Sequence, residues 1–197
     1  MRHIIAILLL LTPAFSGSRL LADKVHDDAA KAIEESGGSV RQIAANDDRV
    51  EVDFHLARED ASDQHLSPLS NLSGVYRVHL GGTAVTDAGL AHLKGLDSIE
   101  YLHLERTAVT DAGLDIVGGL KTLRYLNLYG TAVTDAGLMK LANLGNLEKL
   151  YVWQTKVTDS GLEKLRTKLP NLYVDTGWDV ADMSKPPQEE EKAEPDK

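Results

Sequence analysis

The sequence predicts an α/β solenoid in which a strand, a turn and a short helix recur about five times. The phrase GTAVTDAGL begins at Gly82 and returns letter for letter at Gly130. Variants of it, RTAVTDAGL and QTKVTDSGL, begin at Arg106 and Gln154, and a degraded copy, EDASDQHL, precedes them all. The step is 24 residues throughout. A leucine-rich period in the twenties is typical of a solenoid, whose units bury their apolar faces against each other.

Each unit changes its apolar spacing once, and that change locates its strand and its helix. Alternating apolar residues upstream of the phrase predict a strand with one buried face. Apolar residues three apart within and after the phrase predict a short helix. The strand positions are Ile99, Leu102 and Leu104, then Leu123, Leu126 and Leu128, then Leu147, Leu150 and Val152. The helix positions are Leu90 and Leu93, Leu114 and Val117, Leu138 and Leu141, and Leu162 and Leu165.

The repeated phrase itself is predicted to be scaffolding. Its second threonine lies where a helix N-cap belongs, at Thr86, Thr110, Thr134 and Thr158. The aspartate that follows it is expected to meet the positive end of its own helix. Together the two residues would stabilise each helix by about 1–2 kcal/mol. Stacked carboxylates can also bind calcium, but the sequence lacks the oxygen-rich loop that such a site needs.

The pattern LxxLxL, followed by xxT and VTDAGLxxL, resembles a leucine-rich repeat with Thr where Asn or Cys is usual. It is most similar to the cysteine-containing subtype of F-box proteins, whose repeats carry I/VTDxGL, although this chain has no cysteine. The cysteine-free form resembles secreted bacterial leucine-rich repeat proteins. The resemblance covers about residues 50–174. It implies parallel strands on a concave face and the binding of other proteins, with the partner differing from case to case.

The N-terminus reads as a secretory signal peptide over residues 1–22. A short basic start precedes the apolar run Ile4–Leu11, which is too short for a transmembrane helix of roughly 20 residues. Cleavage is expected after Ala22, with Ser16 as the alternative position and an uncleaved anchor as the alternative interpretation. The mature protein is therefore expected outside the cytoplasm, in the periplasm, in the cell envelope or secreted, with no membrane insertion.

Three further segments complete the predicted organisation. Residues 23–49 are expected to form an N-terminal cap, with one helix ending at a Gly pair and one strand. Residues 50–182 are expected to hold the repeats and a C-terminal cap. Residues 183–197 are rich in proline and charge and are expected to be a disordered acidic tail. A solubilising end is the expected role of that tail, and partner binding is the alternative.

Composition and motifs narrow the function classes. The chain has no cysteine, which excludes disulfides, thiol catalysis and a lipoprotein anchor. Its net charge is −9, and removal of residues 1–22 would leave −11, so the surface repels nucleic acid. No catalytic or cofactor-binding motif is present. The sequence predicts a non-enzymatic, monomeric protein-binding module without a cofactor.

The strand residues that face away from the core form the candidate site. Five large aromatics are expected on the C-terminal half of the concave face, and they are half of the ten aromatic residues in the chain. Tyr and Trp are enriched at binding hot spots, which predicts a partner surface. The alternative is that Tyr simply favours strands. The predicted anchors are Tyr101, Tyr125, Tyr129, Tyr151 and Trp153.

A column of histidines lies beside these aromatics. His55, His79 and His103 are expected on three adjacent strands, with Asp53 aligned to Arg77 in the next column. Neighbouring imidazoles could share zinc or copper, but the spacing specifies no third ligand, and duplication of repeats alone explains such a column. No metal site is therefore predicted. The predicted polar contacts to the partner are His79, His103, Glu105 and Arg106.

Two other functions are compatible with the sequence. The repeats of a structural envelope protein would assemble only with each other. A metal-binding protein would use the histidine column.

Overall fold

A computed structural model describes the chain over residues 16–45, 47–57 and 60–177. The apolar part of the expected signal peptide and the expected acidic tail lie outside these residues. The first helix, α1 (Ser16–Glu35), runs through the expected cleavage position at Ala22. None of the helices in the described ranges is long and apolar enough to cross a membrane.

Within the described residues, seven strands form one sheet in chain order. The first two strands are antiparallel, and every later strand is parallel to its predecessor. From the third strand onward, paired residues are one 24-residue step apart, as Leu102 and Leu126 are. The predicted parallel sheet is confirmed. Its strands are β1 (Ser39–Ala44), β2 (Asp47–Asp53), β3 (Val75–His79), β4 (Tyr101–His103), β5 (Tyr125–Asn127), β6 (Lys149–Tyr151) and β7 (Tyr173–Asp175).

Short helices pack on one side of this sheet. The core lies between the two layers, where strand residues such as Leu126 and helix residues such as Leu138 are fully buried. In the described part of the chain these short helices leave the other side of the sheet uncovered, and we call that side the strand face. The helices are α2 (Asp87–Leu90), α3 (Leu114–Val117), α4 (Asp135–Leu138) and α5 (Asp159–Lys168), with 3₁₀ turns at Asp63–Asn71, Ala91–Leu93 and Met139–Leu141.

The aspartates of the repeated phrase bond to the next unit. Asp111 accepts the backbone N–H of Thr134 at 2.7 Å and its hydroxyl at 2.6 Å. The expectation that each aspartate serves its own helix start is therefore wrong about its hydrogen-bond partner. Stacking of the units brings the next threonine onto each carboxylate, and a threonine hydroxyl can donate there while accepting from its own helix. The same pairs are Asp63–Thr86, Asp87–Thr110 and Asp135–Thr158.

Three of the four predicted threonines cap their helices. The prediction is wrong for Thr110, because α3 begins only after Gly113, and the Thr110 hydroxyl accepts the N–H of Ala112 in the turn before that helix. The Thr134 hydroxyl accepts the N–H of Ala136 at 3.2 Å. Thr86 and Thr158 accept from Ala88 and Gly161 in the same way.

The glycine of the repeated phrase makes room for this carboxylate. A Cβ placed on Gly137 would overlap Oδ1 of Asp111, and one on Gly113 would lie 2.5 Å from Oδ1 of Asp87. Threonine, aspartate and glycine thus form one inter-unit contact, which is why they recur together. The phrase is scaffolding.

Candidate functional site

The strand face carries two rows of outward side chains that run across the strands. The first row is Glu51, Arg77, Tyr101, Tyr125, Lys149 and Tyr173. The second row is Asp53, His79, His103, Asn127, Tyr151 and Asp175.

This register corrects the expected histidine column at its N-terminal end. Asp53, not His55, aligns with His79, because the β2–β3 pairing shifts between Val50 and Glu51. β2 ends at Asp53, so His55 lies in the turn that follows. Its ring still packs edge-on against His79, with centroids 4.9 Å apart.

Three of the predicted aromatics form a tyrosine cluster that is centred on Tyr125 and joins the two rows. The Tyr125 ring centroid lies 6.0 Å from that of Tyr101 and 5.2 Å from that of Tyr151. It also lies 4.7 Å from the ring of His103, which joins the aromatic and histidine parts of the face. Burial, followed by the neighbouring Tyr151, raises the pKa of Tyr125 to about 12. Its phenol therefore stays neutral at physiological pH and presents a hydrogen-bonding group on a largely apolar ring.

The other two predicted aromatics, Tyr129 and Trp153, form a separate stacked pair. Their rings stack at 4.9 Å with an interplanar angle of 13°. Arg106 lies over Tyr129 at 5.1 Å and donates from Nη2 to the Tyr129 hydroxyl at 2.9 Å. Trp153 is 41% exposed. The five aromatics thus lie on the predicted side of the sheet in two groups, and the rings within each group contact one another.

Arg106 has a strained backbone. Its φ is 55°, in the left-handed region that costs a non-glycine residue roughly 1–2 kcal/mol. The equivalent position holds Gly82 in the preceding unit and Gly130 in the next, both also at positive φ. Strain of this kind often marks a side chain that is retained for a contact, which here is the bond to Tyr129.

The second polar group is a histidine–carboxylate cluster made of Asp53, His55, His79, His103 and Glu105. The two central imidazoles, His79 and His103, stack at 4.6 Å. Glu105 reaches both, with Oε1 3.3 Å from Nε2 of His79 and Oε2 3.8 Å from Nδ1 of His103. On the other side of His79, Nδ1 lies 3.7 Å from Oδ1 of Asp53, which contacts Nδ1 of His55 at 2.6 Å.

The charges of this cluster are set by burial and by these contacts. The Glu105 carboxylate raises the pKa of His79 above its usual value. Burial lowers the pKa of His103 to about 4. Burial also acts to raise the pKa of Glu105 and of Asp53, but bonding to His79 and to His55 respectively outweighs it and leaves both lowered. Glu105 is therefore ionised beside a His79 that protonates readily, and His103 is neutral at physiological pH.

Comparison with known proteins identifies the repeat type. A family model described as "Leucine Rich repeat" matches residues 119–142, which is one 24-residue unit. The chain is a leucine-rich repeat protein. An internalin (inlF) of Listeria monocytogenes has the same fold, with a TM-score of 0.50 at 22% identity over 58% of this chain and 32% of its own. No curated protein sequence matches the chain.

Two further solved structures resemble this leucine-rich repeat protein. Internalin C2 of L. monocytogenes matches with a TM-score of 0.43 at 24% identity, over 60% of this chain and 61% of its own. A leucine-rich repeat protein of Leptospira interrogans matches with a TM-score of 0.43 at 23% identity, over 55% of this chain and 27% of its own. The chain thus spans less than two thirds of the length of each.

Two features of the strand face were not predicted from the sequence of this leucine-rich repeat protein. Asp53 belongs to the histidine–carboxylate cluster, and only the β2 irregularity reveals this. A set of ion pairs also links the residues that directly precede β4, β5 and β6. Arg124 donates to Glu148 at 2.7 Å and to Glu100 at 3.5 Å. Because Glu100, Arg124 and Glu148 are each 24 residues apart, the sequence could have predicted these ion pairs.

Proposed function

We propose that this leucine-rich repeat protein is an exported, non-enzymatic module that binds another protein through its strand face. The observation that carries the proposal is that one set of residues joins the units and a different set covers the strand face. The threonine, aspartate and glycine of the repeated phrase bond one unit to the next. The outward residues differ from unit to unit and bring together five aromatics.

The chemistry of these aromatics suits a protein interface. Tyrosine and tryptophan dominate binding hot spots, because they bury a large area and lose little conformational freedom. Tyr125 is held by its neighbours on three sides, and Trp153 is stacked on Tyr129. Rings that are already ordered cost less entropy when a partner binds. Arg106 adds a fixed positive charge beside the stacked pair of Tyr129 and Trp153.

Two parts of the proposal, export and the lack of catalysis, rest on the N-terminal sequence and on the solvent-open shape of the site. The short basic and apolar N-terminus supports export to the periplasm, the envelope or the medium. The depression next to His79, Glu105 and Arg106 is open to solvent. An open site does not exclude water as an enzyme active site must, which favours binding over catalysis.

An affinity capture tests the proposal. The full-length protein would serve as bait for envelope and culture-fluid fractions, beside a variant with Tyr125→Ala, Tyr151→Ala and Trp153→Ala. A matched control would carry Glu163→Ala, Arg166→Ala and Lys168→Ala, three exposed positions on α5 of the helix side.

The proposal requires a protein that is held by the bait and by the helix-side control but lost from the strand-face variant. Circular dichroism must show that all three proteins are folded. Capture that is equal for all three would contradict it. Recovery of nothing but further copies of the same chain would instead support the self-assembling alternative.

A further inference from the structure

Within the histidine–carboxylate cluster, two imidazoles and one carboxylate converge. Each of His79, His103 and Glu105 offers one ligand atom, and these atoms lie within 4.8 Å of one another. The sequence spacing specified no third ligand for the two histidines. The structure supplies it, because the Glu105 side chain reaches back from the turn after β4 and contacts both rings.

Two buried atoms of this cluster lack a hydrogen-bond partner. They are Oε2 of Glu105, which faces His103, and Nδ1 of His79, which faces Asp53 on the other side of the ring. The described residues contain one other such atom, in Arg77. A buried polar atom without a partner costs free energy unless an ion or a water meets it. Oε2 of Glu105 is aimed between the cluster's own residues, at Nδ1 of His103.

Gly81 leaves room for the Glu105 carboxylate. A Cβ on Gly81 would overlap Oε1 of Glu105, so the carboxylate lies directly against the backbone of the neighbouring unit. The ligand side chains are 20–23% exposed, so they are partly shielded from water, and two of them, His79 and Glu105, line the depression. That depression, lined also by Gly82 and Arg106, leaves room for a water on the open side.

Asp53 lies where a carboxylate that orients a metal-binding histidine would be expected, although it is not within hydrogen-bond distance of His79 in this structure. A histidine that binds a metal through one ring nitrogen commonly donates its other N–H to a carboxylate, which fixes the ring. Nδ1 of His79 faces Oδ1 of Asp53 at 3.7 Å, while its Nε2 faces Glu105. His55 holds Asp53 there through its backbone N–H at 2.8 Å and its ring at 2.6 Å.

We propose that His79, His103 and Glu105 bind a divalent transition metal, with zinc the best match, and that Asp53 orients His79. Two imidazoles, one carboxylate and a water form a donor set that zinc takes in sites with an open position. Bond lengths of about 2.0–2.2 Å require the three ligand atoms to draw closer than they lie in this structure. The neighbouring set of Asp53, His55 and His79 is the weaker candidate, because His55 is 45% exposed and already bonded to Asp53.

Metal titration of the chelator-treated, untagged full-length protein tests this site. Calorimetry with Zn²⁺ should give one equivalent of binding, and Co²⁺ should give the visible absorption of a four-coordinate ion. His79→Gln, His103→Gln and Glu105→Gln should each weaken Zn²⁺ binding by more than about 10-fold, and Asp53→Asn by about 10–100-fold. The matched control His92→Gln, in the turn after α2, should leave binding unchanged.

Three results would overturn the proposal. One is the absence of Zn²⁺ binding by the unaltered protein at millimolar metal. Another is one-equivalent binding that survives His103→Gln. The third is binding that His55→Gln abolishes and His103→Gln spares, which would assign the ion to Asp53, His55 and His79. Circular dichroism of each variant separates loss of a ligand from loss of the fold.

Discussion

Asp111 and Thr134, 23 residues apart in the chain, are joined by two hydrogen bonds to one carboxylate, at 2.7 and 2.6 Å. The same pair recurs at three other unit boundaries. Each boundary therefore combines a strand pairing, a buried leucine layer and a charge-assisted contact. The repeated phrase is retained because every unit must present the same atoms to its neighbours.

Loss of one such contact should destabilise the solenoid. Asp111→Ala leaves the N–H and the hydroxyl of Thr134 without their acceptor, and we expect a loss of about 1–3 kcal/mol. Asp159 is the matched control, because it has the same position in its unit, and within residues 16–177 no following threonine donates to it. Asp159→Ala should cost only the helix-dipole term, about 0.3–1 kcal/mol. Urea unfolding measures both, and equal losses would refute the inter-unit role.

The glycine of the phrase should not tolerate a methyl group. Gly137→Ala drives a Cβ into Oδ1 of Asp111 and should cost about 1–3 kcal/mol. Gly145→Ala is the control, since a Cβ there would meet nothing within 4 Å. It should change stability by less than about 0.5 kcal/mol. The same unfolding assay compares them, and a harmless Gly137→Ala would mean that Asp111 can move away freely.

The pKa of Asp135 should report on its threonine partner. Hydrogen bonds from the backbone and side chain of Thr158 hold that pKa below the ordinary 3.8. Because the pKa is lowered on folding, the carboxylate stabilises the fold above pH 3.8, and this contribution is lost as the pH falls through the folded pKa.

Carboxyl ¹³C shifts measured between pH 2 and 6 would follow this titration. Thr158→Val should raise the pKa of Asp135 toward 3.8. Thr167→Val should not change it, because the Thr167 hydroxyl donates to the backbone carbonyl of Lys164 instead. An Asp135 titration that is identical in both variants would contradict the assignment.

The strained backbone of Arg106 predicts an asymmetry with Gln154, which has φ 53° in the last copy of the phrase. Gln154→Gly should stabilise the protein by up to about 1 kcal/mol, because glycine adopts positive φ freely. Arg106→Gly relieves the same strain but also removes the guanidinium from Tyr129, a contact of about 0.5–1 kcal/mol. It should therefore gain less in thermal unfolding. Equal gains would show that the Arg106–Tyr129 contact adds nothing.

The fold could be predicted from the sequence because its signals are local and repeated. Leucine spacing placed the strands and helices, and alternation put Tyr125 and His103 on the outward side. The partners of Asp111 could not be predicted, since helix capping within one unit explains the same residues. The alignment of Asp53 with His79 depends on an irregular pairing of β2 that leaves no composition signal. The contact of Glu105 with two rings depends on side-chain conformation.

Site-specific photo-crosslinking tests the central claim that the strand face is the binding surface. A benzophenone amino acid would replace Tyr151 in one protein and Glu163, exposed on α5, in another. Each protein would be irradiated with the captured partner. If partners bind the strand face, an adduct should form at position 151 and none at 163. An adduct at 163 with none at 151 would move the interface to the helix side and contradict that claim.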